Sequence, residues 1–227
     1  MARYYEIDGN LYPSATTVLE IVRKPQLEIW RGMVGNREAD RIMEDTASLG
    51  RETHERCHAV VVGNDTDFQV KDQRVEPLVD AFTDWFRAAV KEVILAEEPT
   101  WSLKYGYAGT PDLICILKGD QANPTVVDIK TTGAIWKDQA LQLAAYQGAL
   151  REHGINPWRR MVVHLNKANP LRPATIKEFH EHENDFNHYL YALSLYKYFE
   201  EVSLNEHSII KLSTGRHSAS AGKAVGQ

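Results

Sequence analysis

The sequence predicts an α/β (α+β) chain: a central mixed β-sheet flanked by helices, preceded by a part that is mainly helical. Three observations lead there. Two apolar β-type runs, Leu113 to Leu117 and Thr125 to Ile129, are separated by the turn-rich break Lys118 to Pro124, which is a hairpin signal. Stretches of helical period stand on both sides of them, Leu78 to Val93 upstream and Asp138 to His153 downstream. Strand runs bracketed by helices imply a sheet covered on both faces.

In chain order, Ile7 to Pro13 reads as a short hairpin around Asp8-Gly9-Asn10. Ser14 is placed to cap a helix carrying Val18, Leu19 and Val22, with Pro25 as its end. Leu27 to Trp30 and the segment from Asn36 onward read as further helix. Gly50 interrupts it, and Gly63-Asn64-Asp65 closes it. Leu78, Val79, Phe82, Trp85, Phe86, Ala89, Val90 and Val93 form one amphipathic helix face, with Pro77 in the first turn. After Glu97-Glu98-Pro99 the pattern turns to strands: Thr100 to Tyr105, Ala108 to Leu117 and Thr125 to Lys130. Asp138 to His153 is helical with Gly154 as the stop. Arg159 to Leu165 and Thr175 to His180 are strands, and Asn184 to Val202 is a long aromatic helix. The expected domain is residues 1–212, with 1–98 mainly helical and 99–212 the sheet core with its helices. Residues 213–227 (STGRHSASAGKAVGQ) are small and polar and read as a disordered tail.

The 227 residues suffice for one core-bearing domain. Hydrophobic residues make up 43% and charged residues 25%, an ordinary balance for a soluble globular chain. There is no apolar run of about 20 residues, so no membrane span is expected, and MARYYEIDGN lacks the apolar core of a signal peptide. Two cysteines, Cys57 and Cys115, are too few for a disulfide framework or an iron–sulfur cluster. The expected compartment is the cytoplasm. The net charge of −5 counts against a uniformly basic nucleic-acid binder, but a local basic groove is invisible in that sum.

The chemistry-bearing residues cluster around the hairpin. Asp112 opens its first run, Asp128 lies near the end of its second, and Lys130 follows two residues later. With a strand period of two, Asp128 and Lys130 share a face. Adjacent strands lie about 5 Å apart, so two carboxylates on paired strands can share one divalent cation such as Mg²⁺. Read alone, Asp112 is equally a strand-end turn residue and Asp128 with Lys130 a solvated edge pair.

Pro111-Asp112 followed by Asp128-Ile129-Lys130 resembles the PD-(D/E)xK nuclease superfamily, whose restriction-endonuclease-like core has this element order. Three more segments resemble its RecB-type branch. They are Gly50-Arg51-Glu52-Thr53-His54, a glutamate upstream of Gly-Tyr-Ala-Gly-Thr-Pro-Asp (Glu98, with Glu97 the other choice), and Gln142-Leu143-Ala144-Ala145-Tyr146. Gln142 and Tyr146, at i and i+4, share a helix face. Pro13 to Trp30 resembles the N-terminal helical part of phage and mitochondrial-genome-maintenance exonucleases. The resemblance implies that His54, Asp112, Asp128 and the Ile129 carbonyl hold Mg²⁺ or Mn²⁺. By the same token Lys130 orients the attacking water, Glu98 binds a second metal or its water, and Gln142 and Tyr146 hold the lysine or a phosphate. It implies a stand-alone DNA exonuclease of phage or mobile-element type, acting on single- or double-stranded DNA beside phage or host recombination or replication proteins. Trp136 and Lys137 are placed to give a stacking and a basic contact to a strand; Trp136 reads equally as core.

Two alternatives stand beside this reading. His54-Glu55-Arg56-Cys57-His58 is literally His-Glu-x-x-His, the zinc-protease signature. That reading leaves Asp112, Asp128, Lys130, Gln142 and Tyr146 unexplained. The other alternative is a catalytically inactive DNA-binding or assembly module of the same fold.

One prediction rests on composition alone. Deleting residues 213–227 is expected to leave the melting temperature unchanged, since the segment has no large apolar side chain to bury. A drop of several degrees in a thermal melt would show that it docks.

Overall fold

A computed structural model describes residues 2–64, 72–199 and 208–212. The tail 213–227 lies outside the described residues, as do Asp65 and the end of the long aromatic helix beyond residue 199. Among the described residues, no helix is long and apolar enough to cross a membrane.

The chain opens with a hairpin of β1 (Arg3–Ile7) and β2 (Asn10–Pro13). Its turn places Asp8 and Gly9 at φ 50° and 78°, the left-handed pair that a two-residue hairpin turn demands. Ser14 accepts a hydrogen bond from Thr17 N (3.0 Å) and caps α1 (Ala15–Val18). The helix is shorter than the sequence suggests. It tightens into a 3₁₀ turn at Leu19–Ile21, leaving Val22 extended, and Pro25 starts the next helix, α2 (Pro25–Val34). Proline suits that first position because its missing N–H would have no partner there.

After Gly35 comes α3 (Asn36–Val62), a single 27-residue helix that runs through Gly50 and ends at Gly63 in the left-handed conformation. Gly50 was expected as an interruption. It is instead a point of close approach, where a Cβ would lie 3.2 Å from Thr131 Oγ1. Next is α4 (Val75–Ala89), burying Val75, Leu78, Val79 and Phe82. The helix face expected to continue through Val90 and Val93 does not do so. Val90–Ala96 is strand β3. Helical spacing and a β-branched run coincide there, and pairing with the sheet decides between them.

The strands β4 (Thr100–Ser102) and β5 (Tyr107–Gly109) form a small separate ribbon, bridged to the N-terminal hairpin at Ser14 and Ala108. Thr110-Pro111-Asp112 splits the expected single strand Ala108 to Leu117 into β5 and β6 (Leu113–Leu117). Proline, with no N–H to give, cannot continue a ladder. Then follow β7 (Pro124–Lys130), α5 (Asp138–Glu152), β8 (Arg159–His164), β9 (Thr175–Glu178) and α6 (His182–Phe199). A last strand that the sequence reading missed, β10 (Ser208–Leu212), pairs in parallel with β1.

The central sheet has the order β3-β6-β7-β8-β9. It is mixed: β7 and β8 are parallel, joined through α5, and the other pairs are antiparallel. Alternate residues feed two cores. Leu113, Cys115, Val127, Ile129 and Met161 pack with Leu49, Leu78 and Phe82 of α3 and α4. Ile114, Val126 and Val162 pack with Leu143 and Leu150 of α5 and with Tyr189 and Leu193 of α6. Both cysteines are buried, and burial pushes the Cys115 thiol up to about 12. Helix α5 is enclosed by the sheet and α6, which is why ten of its fifteen residues are buried, including Gln139, Gln142 and Gln147. Arg160, also buried, ties the layers by donating to the Ala140 carbonyl (3.0 Å) and pairing with Asp185 (2.9 Å).

Phe82 is fully buried, with Trp85 and Phe86 ring centroids 5.6 and 5.8 Å away. Phe82→Ala is expected to cost about 3–5 kcal/mol, measured by urea unfolding. A loss below about 1 kcal/mol would mean that α4 contributes little to this core.

Candidate active site

The site begins with strand register. Leu113 pairs with Val127 across β6 and β7, so one step further Asp112 stands against Asp128. The loop before β6 is fastened by its side chain: Asp112 Oδ2 accepts from Ile129 N (2.6 Å). Its carbonyl accepts from Glu97 N (3.1 Å), which ties the end of β3 to the same point. On β7, Asp128 follows Val126 by two residues and therefore faces α5, as does Lys130. Lys130 Nζ lies 2.6 Å from Asp128 Oδ2.

Helix α3 delivers His54 from the other side. Its Nδ1 is 3.3 Å from Asp112 Oδ1. Gly50, one turn earlier on the same face, lets α3 approach Thr131 at the end of β7. A larger residue there would hold the helix, and His54 with it, away from the strand.

Helix α5 completes the first layer. Gln142 Nε2 donates to Asp128 Oδ1 (2.9 Å) and to the Tyr146 hydroxyl (2.9 Å). Tyr146 in turn lies over Gly109, where a Cβ would come within 2.4 Å of its Cε1. The ring of Tyr146 thus occupies the space that any side chain at 109 would need. That gives a physical reason for the second glycine of Gly-Tyr-Ala-Gly.

The electrostatics follow from burial. Burial raises the Asp128 carboxyl to about 6, and Lys130 offsets only part of this. Burial also acts to raise Asp112. His54, Lys130 and the Ile129 N–H more than cancel it and leave that carboxyl below its ordinary range. Lys130 and His54 show the converse. Burial disfavours their charge, but Asp128 and Asp112 hold Lys130 up, and Asp112 holds His54 up. At neutral pH Lys130 is therefore a cation sitting beside two carboxyl groups. Burial, with the nearby carboxyl groups adding to it, keeps Tyr146 protonated.

Of the two adjacent glutamates, Glu97 lies close enough to Asp112 and His54 to feel their charge. Glu97 has φ 50°, and burial together with Asp112 and Glu55 raises its carboxyl against the pull of His58 and His54. Glu97 and Glu98 are alike in being exposed at the surface. The sequence offers two adjacent glutamates with no periodicity to choose between them, and the left-handed one follows directly on the end of β3. His58, the second histidine of the His-Glu-x-x-His segment, lies one turn further along α3. It neighbours Glu97, and its Nδ1 is buried with no hydrogen-bond partner.

Two facing carboxylates and an imidazole are a donor set suited to a hard divalent cation. Among the described residues, Asp128 Oδ2 is held by the Lys130 ammonium alone, 2.6 Å away. The donors are engaged with one another: among the described residues, no three His, Cys, Asp or Glu side chains yet converge as a cation cage. Binding one would exchange the His54–Asp112 and Lys130–Asp128 contacts for contacts to the ion.

Beside Lys130 and Gln142 opens a cleft of about 540 Å³. Trp136 lines it and is 43% exposed, so it is not a core residue. Lys137 caps the start of α5, exposed and outside the lining. The opposite wall is α2, whose Trp30 the sequence reading did not nominate. No local signal could have done so, because Trp30 and Trp136 are 106 positions apart in the chain.

A family model for the PD-(D/E)XK nuclease superfamily matches residues 21–202. No curated protein matches the chain.

Gly109 offers a test of how the site is built. Gly109→Ala is expected to displace Tyr146, with its bond to Gln142, and to cost about 1–3 kcal/mol from overpacking. An unchanged denaturation midpoint would show that Tyr146 moves aside without penalty.

Proposed function

The chain belongs to the PD-(D/E)XK nuclease superfamily, and from that premise we propose that it is a metal-dependent deoxyribonuclease hydrolysing DNA phosphodiester bonds. The observation that carries the reading is the placing of Asp112, one residue beyond the Leu113–Val127 pair, opposite Asp128, with Lys130 Nζ 2.6 Å from Asp128. His54, Asp112 and Asp128 are the residues that would hold Mg²⁺ or Mn²⁺, with the Ile129 carbonyl as the further ligand the resemblance suggests. Such an ion supplies Lewis acidity toward a phosphoryl oxygen and lowers the pKa of a bound water.

The chain's own groups do the rest. Lys130 stays charged between two carboxyl groups and stabilises negative charge as it builds on the phosphate, usually a dominant contribution. Gln142 fixes the rotation of the Asp128 carboxylate by holding Oδ1. Tyr146, which keeps its proton, is a neutral donor in reach of the same group. Glu97 takes the place first assigned to Glu98, at the rim where a second ion or its water would sit.

We read the enzyme as a stand-alone exonuclease of phage or mobile-element type, working in the cytoplasm with recombination or replication proteins. The support for this finer reading is the RecB-type resemblance of Gly50 to His54 and Gln142 to Tyr146. The zinc-protease alternative leaves Asp112, Asp128, Lys130, Gln142 and Tyr146 without a role, and its general base, Glu55, is exposed.

End-labelled linear and circular DNA, single- and double-stranded, with Mg²⁺ or Mn²⁺ tests the proposal. Linear substrates are expected to be shortened from an end, and chelation to stop the reaction. Asp112→Asn, Asp128→Asn and Lys130→Ala should each lose at least about a hundredfold in rate, while Glu55→Gln stays within a few-fold. Rapid nicking of circular DNA would replace the exonuclease reading with an endonuclease. Absence of any cleavage, with folding intact, would leave the inactive-module reading.

A further inference from the structure

The cleft beside Lys130 shares Lys130 and Gln142 with the site, but its other lining residues have no part in the chemistry just described. Lys130 and Gln142 form its floor, shared with the site. Its walls are apolar: Leu19 after α1, Leu27 and Trp30 of α2, and Trp136 in the loop before α5. None of the residues of α2 is buried; the helix lies beside α3, tied to it by the Arg31–Asp40 ion pair, and supplies one wall of that cleft.

The charges at the mouth define what fits. Lys24 is paired with Asp138 (2.7 Å), and Lys130 with Asp128. Glu20 adds an unpaired negative charge at the rim. The lining therefore has no net positive charge, and it is not a pocket for a phosphate. It suits a flat, uncharged, aromatic group with polar edges. Gln139 is nearly buried, and its carbonyl end is held by Trp136 N (3.2 Å). That leaves its amide N–H groups for a ligand, with Gln26 on the facing wall. At about 540 Å³ the cleft lies within the usual range of small-ligand sites, about 300–1,000 Å³.

We propose that this cleft receives one unpaired nucleobase of the substrate strand, stacked on Trp136 and enclosed by Trp30, next to the phosphate that Lys130 faces. The proposal rests on the nuclease reading and sharpens its substrate class. A base inside a duplex is already stacked and paired, and bringing it out costs several kilocalories, least where the strand is already single. The chain should therefore engage single strands or frayed ends, and the insertion sets the register of cleavage. Tryptophan stacking tolerates every base, so the site selects strandedness rather than sequence.

The test is binding with chelator present, so that cleavage does not intervene. The probes are single-stranded oligonucleotides carrying 2-aminopurine or an abasic residue at successive positions. One position is expected to show quenched 2-aminopurine fluorescence. At that same position an abasic residue should weaken binding by about tenfold or more, the effect of one stacked base. Trp136→Ala should weaken binding of the intact strand by a similar factor and remove the abasic penalty, and Trp136→Phe should restore most of it. Trp30→Ala should reduce the quenching. Indifference to the abasic residue at every position, in a protein that binds and cleaves single strands, would overturn the base pocket and leave the nuclease reading standing. Failure to bind any single strand, with cleavage of duplex intact, would overturn it as well. Failure to bind or cleave any DNA would overturn both.

Discussion

The hydrogen bond from Ile129 N to the Asp112 carboxylate is the joint on which the site is assembled. It closes the loop that follows Pro111 onto the end of β7, just where the β6–β7 ladder stops. A proline before Asp112 prevents the ladder from continuing, so a side chain takes over as acceptor for a backbone N–H. The consequence is that Asp112 is fixed at one oxygen and presents the other to His54, directly opposite Asp128. That bond adds a side-chain tie to the one the Leu113–Val127 pair already makes between the two segments.

Bringing such groups together in a buried place is expensive, and the arrangement of neighbours shows how the expense is contained. Two carboxyl groups, an ammonium and an imidazole alternate in sign, each held by at least one opposite partner. Buried charges are tolerated when paired and hydrogen-bonded, but rarely add net stability. Asp128 shows the residual cost: its carboxyl is raised despite Lys130, because burial outweighs the attraction. A carboxylate that is poorly satisfied by its own protein is well prepared to accept a cation. Sites of perturbed ionisation are where chemistry is concentrated.

The supporting shell is built from small residues as much as from polar ones. Gly50 lets α3 bring His54 in, and Gly109 makes room for Tyr146, which steadies Gln142. Helix α5 is held in turn between the sheet and α6, with Arg160 fastened to Ala140 and Asp185. The rigid side of the site is thus the sheet and α5. The opposite wall, α2, buries no residue, so it is less constrained than the sheet and α5.

The sequence by itself determined the class of fold, the β6–β7 hairpin, the caps at Ser14, Gly63 and Gly154, and the short list of groups able to do chemistry. These are legible because they are written in local period, turn residues and spacing. It also placed Asp112, Asp128, Lys130, Gln142 and Tyr146 on neighbouring elements, since one strand pair and the following helix hold them all. Tertiary structure alone decided the remainder. Val90 to Ala96 satisfies a helical stripe and a strand equally, and only pairing with β6 settles it. β10 is a strand because β1 offers it an edge. The nearness of Glu97 to Asp112 goes with a left-handed backbone just after β3, and the sharing of one cleft by Trp30 and Trp136 depends on where α2 is packed. Contacts between residues distant in the chain leave no periodic trace, because the energy that forms them is gained only after the sheet has closed.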